Sequence, residues 1–201
     1  MNTDTPMLFL SLLDKPLAWV RRALRTGLHL CSSVFIGVCL NATAQTAPAL
    51  PEVVNKDLPG LTLQGDTQFR FIGMKVYDIR LWVPPGGYAP DKPYALELVY
   101  NMNFKGADIA QRSVDEKRGQ GYGPEDKLER WKAEMTRIFP DIKPGDTLIG
   151  VHLPGKEARF YTRAKFLSAV MDPEFARAFF DIWLSEKTSE PKLRGRLLEK
   201  K

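Results

Sequence analysis

Residues 61–83 constrain the fold most, because this stretch lacks proline and is rich in β-branched and aromatic side chains. Such a composition predicts strands rather than a helix. Gly65-Asp66 is predicted to form a hairpin turn near the start of the stretch, and Gly73 a bulge or bend within it. The following Pro84-Pro85-Gly86-Gly87 predicts a loop, so the strand region ends there.

Residues 94–100 alternate in hydrophobicity and predict a further strand. One predicted face is apolar and consists of Tyr94, Leu96, Leu98 and Tyr100. The other face carries Ala95, Glu97 and Val99. Its single charge, at Glu97, predicts that one face lies in the core and that the other is only partly covered.

Two helices are predicted next, at about residues 107–118 and 124–140. The second begins at Pro124, which suits the first turn of a helix, and ends at Pro140, which cannot continue one. An apolar stripe along it predicts that one face of this helix packs on the core. The stripe consists of Leu128, Trp131, Met135 and Ile138.

Three short strands, at residues 148–153, 158–161 and 166–170, precede two final helices. Asp172-Pro173-Glu174 predicts the first helix start, since aspartate caps a helix, proline suits the first turn and glutamate favours the positive end. The last helix is predicted to begin near Ser189. This order of elements predicts an α+β fold, with a helical layer on one face of an antiparallel sheet and one domain over residues 55–201.

The first 44 residues resemble a secretory signal peptide. Arg21, Arg22 and Arg25 precede an apolar run at residues 28–40, and Ala42-Thr43-Ala44 offers a cleavage site. A retained membrane anchor is the alternative, but the run is shorter than the ~18–20 apolar residues that a spanning helix needs. We therefore expect a soluble periplasmic protein that begins near Gln45 with a flexible, proline-rich lead over residues 45–54.

Several classes of function are excluded by the residues that remain after cleavage. Both cysteines, Cys31 and Cys39, lie in the predicted signal peptide, and His152 is the one histidine beyond it. A disulfide framework, a thiolate nucleophile and a cysteine-bound or histidine-rich metal site are therefore not expected. The formal net charge is +5, and no basic stripe with interleaved aromatic residues suggests nucleic acid. No cofactor is expected, because the chain lacks phosphate-loop and dinucleotide motifs.

Four motifs, in a fixed order over a long part of the chain, resemble the bacterial chalcone isomerase-like family. They are FRFIGMKVYDIRLW at residues 69–82, FPDIKPGD at residues 139–146, GVHLPG at residues 150–155 and DPEFARAFFDIWL at residues 172–184. The resemblance implies a curved, open-faced antiparallel sheet with a helical layer on one face and a ligand cleft between them. Members of that family include plant enzymes that close a flavanone ring, proteins that hold a fatty-acid carboxylate with an arginine and a tyrosine, and inactive proteins that assist enzymes.

Two motifs of the plant enzymes can be matched to this chain. The first places Ile72 where those enzymes have a catalytic threonine and Gly60 where they have an arginine. The second begins at Gly106 and places Ile109 at the tyrosine, Arg112 at the lysine and Glu116 at the asparagine. Ring closure needs fixed donors and a positive charge around the developing enolate. We therefore expect no chalcone cyclisation above the spontaneous rate.

A non-catalytic protein that binds a small amphipathic or apolar ligand, or assists a partner in the cell envelope, is the function that these matches favour. The predicted ligand-binding residues are Arg70, Tyr77 and Arg112, with Arg70 the first choice for a carboxylate because it lies amid aromatic residues on a strand. Lys75 and Arg80 are further candidates. Each residue also has a structural interpretation: an exposed strand position for Arg70, core packing for Tyr77 and a surface ion pair for Arg112.

Two other functions stay open. One is an isomerase or lyase whose catalytic groups differ from the plant set, and it would require a cluster of donors in a closed pocket. The other is a structural or interaction module whose cleft is filled by its own side chains. An apolar cleft with a single basic residue would instead favour a carrier.

Overall fold

The structure is a computed structural model, and it describes residues 48–199. The predicted signal peptide lies outside the described residues. The elements, in chain order, are α1 (Glu52–Asp57), β1 (Thr62–Phe71), β2 (Met74–Val83), β3 (Tyr94–Tyr100), α2 (Gly106–Gly119), α3 (Glu125–Ile138), β4 (Thr147–Leu153), β5 (Glu157–Tyr161), β6 (Phe166–Val170), α4 (Pro173–Leu184) and α5 (Pro191–Leu198). Within residues 48–199, no helix is both long and apolar enough to span a membrane.

The six strands form one antiparallel sheet in the order β1-β2-β3-β4-β5-β6. This arrangement confirms the predicted α+β class. Because every strand reverses the direction of the one before it, the β1–β2 turn and the β5–β6 turn lie at the same end of the sheet, which we call the upper end. Strands β2 and β6 finish at the opposite, lower end.

The helical layer, α2 to α5, covers one face of the sheet, which we call the inner face. Its core is continuous from β2 and β3 to the aromatic side of α4, where Phe175 and Phe180 are fully buried. Asp172 caps α4 as predicted, and its Oδ1 accepts hydrogen bonds from the backbone nitrogens of Glu174 at 2.9 Å and Phe175 at 3.0 Å. Its Oδ2 accepts a hydrogen bond of 2.9 Å from Trp131 Nε1, which joins α3 to α4.

The other face of the sheet, the outer face, has a smaller core under α1. Val54 of α1 is fully buried among Trp82, Ile149 and Tyr161. The Tyr161 hydroxyl donates a hydrogen bond of 2.5 Å to Asp57 Oδ2, which fixes the end of α1 to β5. Residues 52–54, which the sequence places in an extended lead, therefore form the first turn of a helix.

The turn in the long strand region lies elsewhere than predicted. Gly65-Asp66 lies inside β1, and the chain reverses at Ile72-Gly73, where both residues have positive φ of 47° and 78°. Gly65 instead permits a close approach, because a Cβ there would lie 2.3 Å from the Leu197 carbonyl oxygen of α5. The predicted turn at Gly65-Asp66 was therefore wrong, whereas the predicted bend at Gly73 is where the chain reverses. The sequence did not mark a hairpin turn there because a β-branched residue such as Ile72 is unfavourable at positive φ.

Candidate ligand-binding site

Aromatic side chains line the upper part of the inner face. The Tyr77 ring of β2 stacks on the Phe69 ring of β1, with centroids 5.1 Å apart, and meets the edge of Tyr100 of β3 at 5.8 Å. Phe104, just before α2, continues the row at 5.6 Å from Tyr100. These four rings are here called the aromatic wall. The pairing of β1 with β2 and of β2 with β3 places Phe69, Tyr77 and Tyr100 on one face of the sheet.

The Tyr77 hydroxyl is the polar group within the aromatic wall. It accepts a hydrogen bond of 3.1 Å from Trp183 Nε1 of α4. Burial raises the pKa of Tyr77 far above its ordinary value, so the phenol keeps its proton at physiological pH. Since Trp183 acts as the donor in this hydrogen bond, the phenol proton of Tyr77 remains available for donation to an acceptor.

Charged side chains of α2 and of the residue before α5 lie near enough to this hydroxyl to shift its pKa. Arg112 forms an ion pair with Glu116 one turn later, and the Ser189 hydroxyl donates a hydrogen bond of 2.9 Å to the other oxygen of Glu116. Burial raises the pKa of Glu190, as does the charge of Glu116, whereas Arg112 lowers it. The same three charged side chains also shift the pKa of Tyr77. The structure thus brings Tyr77 and Arg112 into one region.

The hydrogen bond of the Arg70 side chain is made within the β1–β2 hairpin and not to the groups around Tyr77. Its side chain is exposed at the upper end, and its guanidinium donates a hydrogen bond of 2.9 Å to the Gly73 carbonyl oxygen of its own hairpin. Its role as a ligand-binding residue stays a prediction. Lys75 pairs with Asp78 at 2.7 Å, and Arg80 pairs with Glu97 at 3.3 Å on the outer face.

The positions matched to the plant threonine, arginine and tyrosine carry no polar side chain. Ile72 is 72% exposed in the β1–β2 turn. Gly60 has a positive φ of 82° between α1 and β1, and Ile109 packs in the first half of α2. None of these side chains can donate a hydrogen bond to an enolate, and within residues 48–199 no group of acidic, histidine or cysteine side chains could hold a metal ion.

Lys117 of α2 is a buried cation that the sequence did not reveal. It is 0% exposed, and its Nζ lies 5.0 Å from the ring centroid of Phe179 and 5.4 Å from that of Phe175. Its polar contacts are the Ser113 carbonyl oxygen at 3.5 Å and Met135 Sδ at 3.9 Å. Burial lowers the pKa of Lys117 to about 7. A lysine four residues after Ser113 in an amphipathic helix gives no sequence signal of this burial.

A separate polar depression of about 280 Å³ lies along β1 and β2 at the edge of the sheet. Asp66, Gln68, Asp78 and Arg80 line it together with Arg196 of α5. Its lining is charged or strongly polar, so it offers little apolar surface to an acyl chain. The aromatic wall on the inner face is therefore the better candidate for an amphipathic ligand.

Trp183, Glu190 and Ser189 are functional candidates that sequence reasoning missed. Helical spacing indicated Trp183 as a core residue, and it is 8% exposed, but its indole nitrogen reaches Tyr77 across the sheet–helix interface. Glu190 and Ser189 precede α5, far along the chain from α2. No local motif links such distant positions, so the pairing becomes visible only in the fold.

An open antiparallel sheet of six strands with a helical layer on one face defines a class of α+β proteins. The family model described as chalcone isomerase-like matches residues 43–199. The chain therefore belongs to the chalcone isomerase-like family, which confirms the resemblance found in the sequence.

One protein is similar to this chain in sequence and another is similar in structure. An uncharacterized protein of Haemophilus influenzae is 28% identical over 137 residues, which cover 68% of this chain and 67% of that protein. The crystal structure of a fatty-acid binding protein of Arabidopsis thaliana superposes with a TM-score of 0.51 at 12% identity, covering 69% of this chain and 84% of the other. At this identity the likeness shows the shared fold.

Proposed function

We propose that this protein binds a small amphipathic molecule, with an acyl-like apolar part and an anionic end, without transforming it. The observation that carries the proposal is the Tyr77 hydroxyl. It is held by Trp183 at 3.1 Å within the aromatic wall and lies within electrostatic reach of Arg112. An apolar surface with a phenol and one guanidinium at its rim suits a carboxylate joined to a hydrocarbon chain.

In the proposed complex the ligand carboxylate competes with Glu116 for Arg112. The Arg112 side chain is 45% exposed, whereas that of Glu116 is 13% exposed, so the guanidinium is the more solvent-accessible member of this ion pair. The phenol of Tyr77 supplies a second, neutral donor. The fatty-acid binding protein with the same fold supports this class of ligand. The absence of polar side chains at Gly60, Ile72 and Ile109 supports binding rather than ring closure.

The location that we propose is the periplasm, after removal of residues 1–44. The support is the arginine cluster, the short apolar run and the Ala-x-Ala site in the sequence. In that compartment the protein would carry its ligand or present it to a partner of the cell envelope.

A titration with a fluorescent fatty acid tests the ligand site through Arg112. Arg112→Ala should weaken binding about ten- to a hundredfold, the range for one charged hydrogen-bonding contact. Arg130→Ala is the matched control, because Arg130 also forms an ion pair across one helical turn, with Asp126 at 2.7 Å, but on α3. Its affinity should equal that of the wild type.

The same titration distinguishes the two arginines considered from sequence. Arg70→Ala should change the affinity much less than Arg112→Ala, because the Arg70 guanidinium binds the Gly73 carbonyl at the exposed hairpin. A large loss with Arg70→Ala and none with Arg112→Ala would move the anionic end of the ligand to the hairpin. Equal affinity of all variants would contradict the proposed site.

A further inference from the structure

The β1–β2 turn exposes aliphatic side chains under backbone strain. Ile72 is 72% exposed with a φ of 47°, and Met74, on the other side of Gly73, is 41% exposed. A β-branched residue is unfavourable at positive φ, where glycine or asparagine is accommodated readily. The strain and the exposed apolar surface both cost the free protein stability, and neither contributes to its core.

The other turn at the upper end repeats this combination. Phe166 begins β6 directly after the β5–β6 turn and is 47% exposed. We call the exposed apolar residues of the two turns the first tip, Ile72 and Met74, and the second tip, Phe166. Basic residues flank both tips: Arg70 and Lys75 the first, and Arg163 and Lys165 the second. The antiparallel order of the sheet brings the two turns to one end.

The lower end offers an internal contrast. Met171 follows β6 there and is 84% exposed, but its neighbours in sequence are the acidic Asp172 and, two residues on, Glu174. Exposed apolar side chains thus occur with basic residues at the upper end and with acidic residues here. Basic groups beside apolar tips fit a surface with hydrocarbon below and negative charge above.

We propose that the upper end of the sheet docks on an anionic lipid surface. Ile72, Met74 and Phe166 enter the boundary between head groups and acyl chains, and the flanking basic residues meet lipid phosphates. This deepens the proposed function, because Phe69 and Tyr77 of the aromatic wall lie on the two strands that end in the first tip. An acyl ligand would then exchange between the lipid and the site over a short path.

Co-sedimentation with vesicles tests the docking. Vesicles of phosphatidylcholine with phosphatidylglycerol are compared with vesicles of phosphatidylcholine alone. The protein is used in the processed form that the host produces. Intact mass confirms that the wild type and every variant begin at the same residue. The wild type should bind the anionic vesicles and lose this binding as salt is raised, since counterions screen the lipid charge.

The double variant Ile72→Asn, Met74→Gln should bind anionic vesicles at least about tenfold more weakly. Asparagine suits the positive φ at position 72, so the melting temperature should stay equal or rise. A purely structural role for Ile72 would not produce this separation of stability from lipid binding. Met171→Gln is the matched control at the lower end and should bind as the wild type does.

Charge is tested by Lys75→Gln with Lys165→Gln. Each should lower binding to anionic vesicles about fivefold and leave binding to phosphatidylcholine unchanged. Arg70 and Arg163 are spared because they bind the Gly73 carbonyl oxygen and the buried Glu97 carboxylate, whereas Lys75 pairs with the partly exposed Asp78 and Lys165 is exposed. Unchanged vesicle binding by the double variant Ile72→Asn, Met74→Gln would overturn the proposal. Self-association of the wild type that these substitutions abolish, without vesicle binding, would also overturn it and would indicate a second copy of the chain as the partner.

Failure of docking is distinguishable from failure of the ligand site. If both proposals hold, Arg112→Ala loses affinity for the fatty acid but still sediments with vesicles. The double variant Ile72→Asn, Met74→Gln then keeps its affinity for the fatty acid but no longer sediments with vesicles. A wild type that binds the fatty acid in solution but no vesicle would contradict docking and leave the ligand site intact.

Discussion

Two buried charged side chains, one on each side of the sheet, are held in opposite ways. Glu97 on the outer face is 0% exposed, and it accepts hydrogen bonds from Arg80 at 3.3 Å, Trp82 Nε1 at 3.2 Å and Arg163 at 3.0 Å. Lys117 in the helical layer is equally buried but faces two phenylalanine rings, and no carboxylate within residues 48–199 forms an ion pair with it. A buried charge is tolerated when it is paired and is costly when it is not.

The same contrast extends to neutral polar groups. His152 Nδ1 and Gln120 Oε1 are both buried without a hydrogen-bond partner within the described residues. The His152 ring of β4 packs on Phe180 of α4, and the Gln120 amide nitrogen donates a hydrogen bond of 3.0 Å to the Asp181 carbonyl oxygen of α4. The outer face therefore satisfies its buried carboxylate, while these two neutral groups on the helical side of the sheet each keep an atom without a partner within the described residues. Such incomplete satisfaction lowers stability.

The largest effect on stability that this comparison predicts is that of replacing Glu97. Glu97→Ala should lower the free energy of unfolding by about 4 kcal/mol, because it leaves two arginines and an indole without their shared acceptor. Urea unfolding at neutral pH measures the change. Asp78→Ala on the same face is the control and should cost less than about 1 kcal/mol, since its carboxylate is 31% exposed beside Lys75. Equal losses in the two variants would refute a special role for Glu97.

Lys117 should show a smaller effect of the opposite sign. Lys117→Met should raise the free energy of unfolding by about 2 kcal/mol at pH 7, because it removes the cost of burying an amine. In the wild type the folded-state pKa is about 7, below the ordinary 10.5, so the unfolded chain binds the extra proton between these values. Wild-type stability should therefore rise with pH from about 7 to about 10.5.

Urea unfolding at pH 7 and pH 9 measures this dependence. The wild type should gain stability between the two values, and Lys117→Met should lack that gain. Lys132→Met is the control, since its side chain is 34% exposed on α3, and it should keep the wild-type pH dependence. A wild type with no rise between pH 7 and pH 9, or a less stable Lys117→Met, would show that Lys117 has a partner or is hydrated.

Much of the fold could be predicted because its signals are local. The start of α4 was marked by Asp172-Pro173, and the strands β4 to β6 lie within one residue of the predicted bounds at each end. Helix α1 was missed because its six residues, between Pro51 and Leu58, are too few for a periodic pattern. The helix is held by tertiary contacts, such as the hydrogen bond between Asp57 and Tyr161. These residues are far apart in the chain, so no local sequence pattern predicts their contact.

The candidate site was predictable only in part. Tyr77 and Arg112 were named from the family resemblance, and the structure brings them into one region. Their connection depends on Trp183 and Glu190, which lie more than 70 residues beyond Arg112 in the chain. A cation buried as completely as Lys117 was equally hidden, since the helix that carries it has charged residues on either side.

Photo-crosslinking tests the central claim most directly, namely that an amphipathic ligand lies on the inner face beside Tyr77. The protein is irradiated with a diazirine-bearing fatty acid, and the modified residues are located by tandem mass spectrometry with and without excess unlabelled fatty acid. The account predicts adducts on Phe69, Tyr77, Ile109 or Trp183 that excess fatty acid suppresses. Competable adducts confined to the outer face around Trp82 and Val54, or no competable adduct at all, would contradict it.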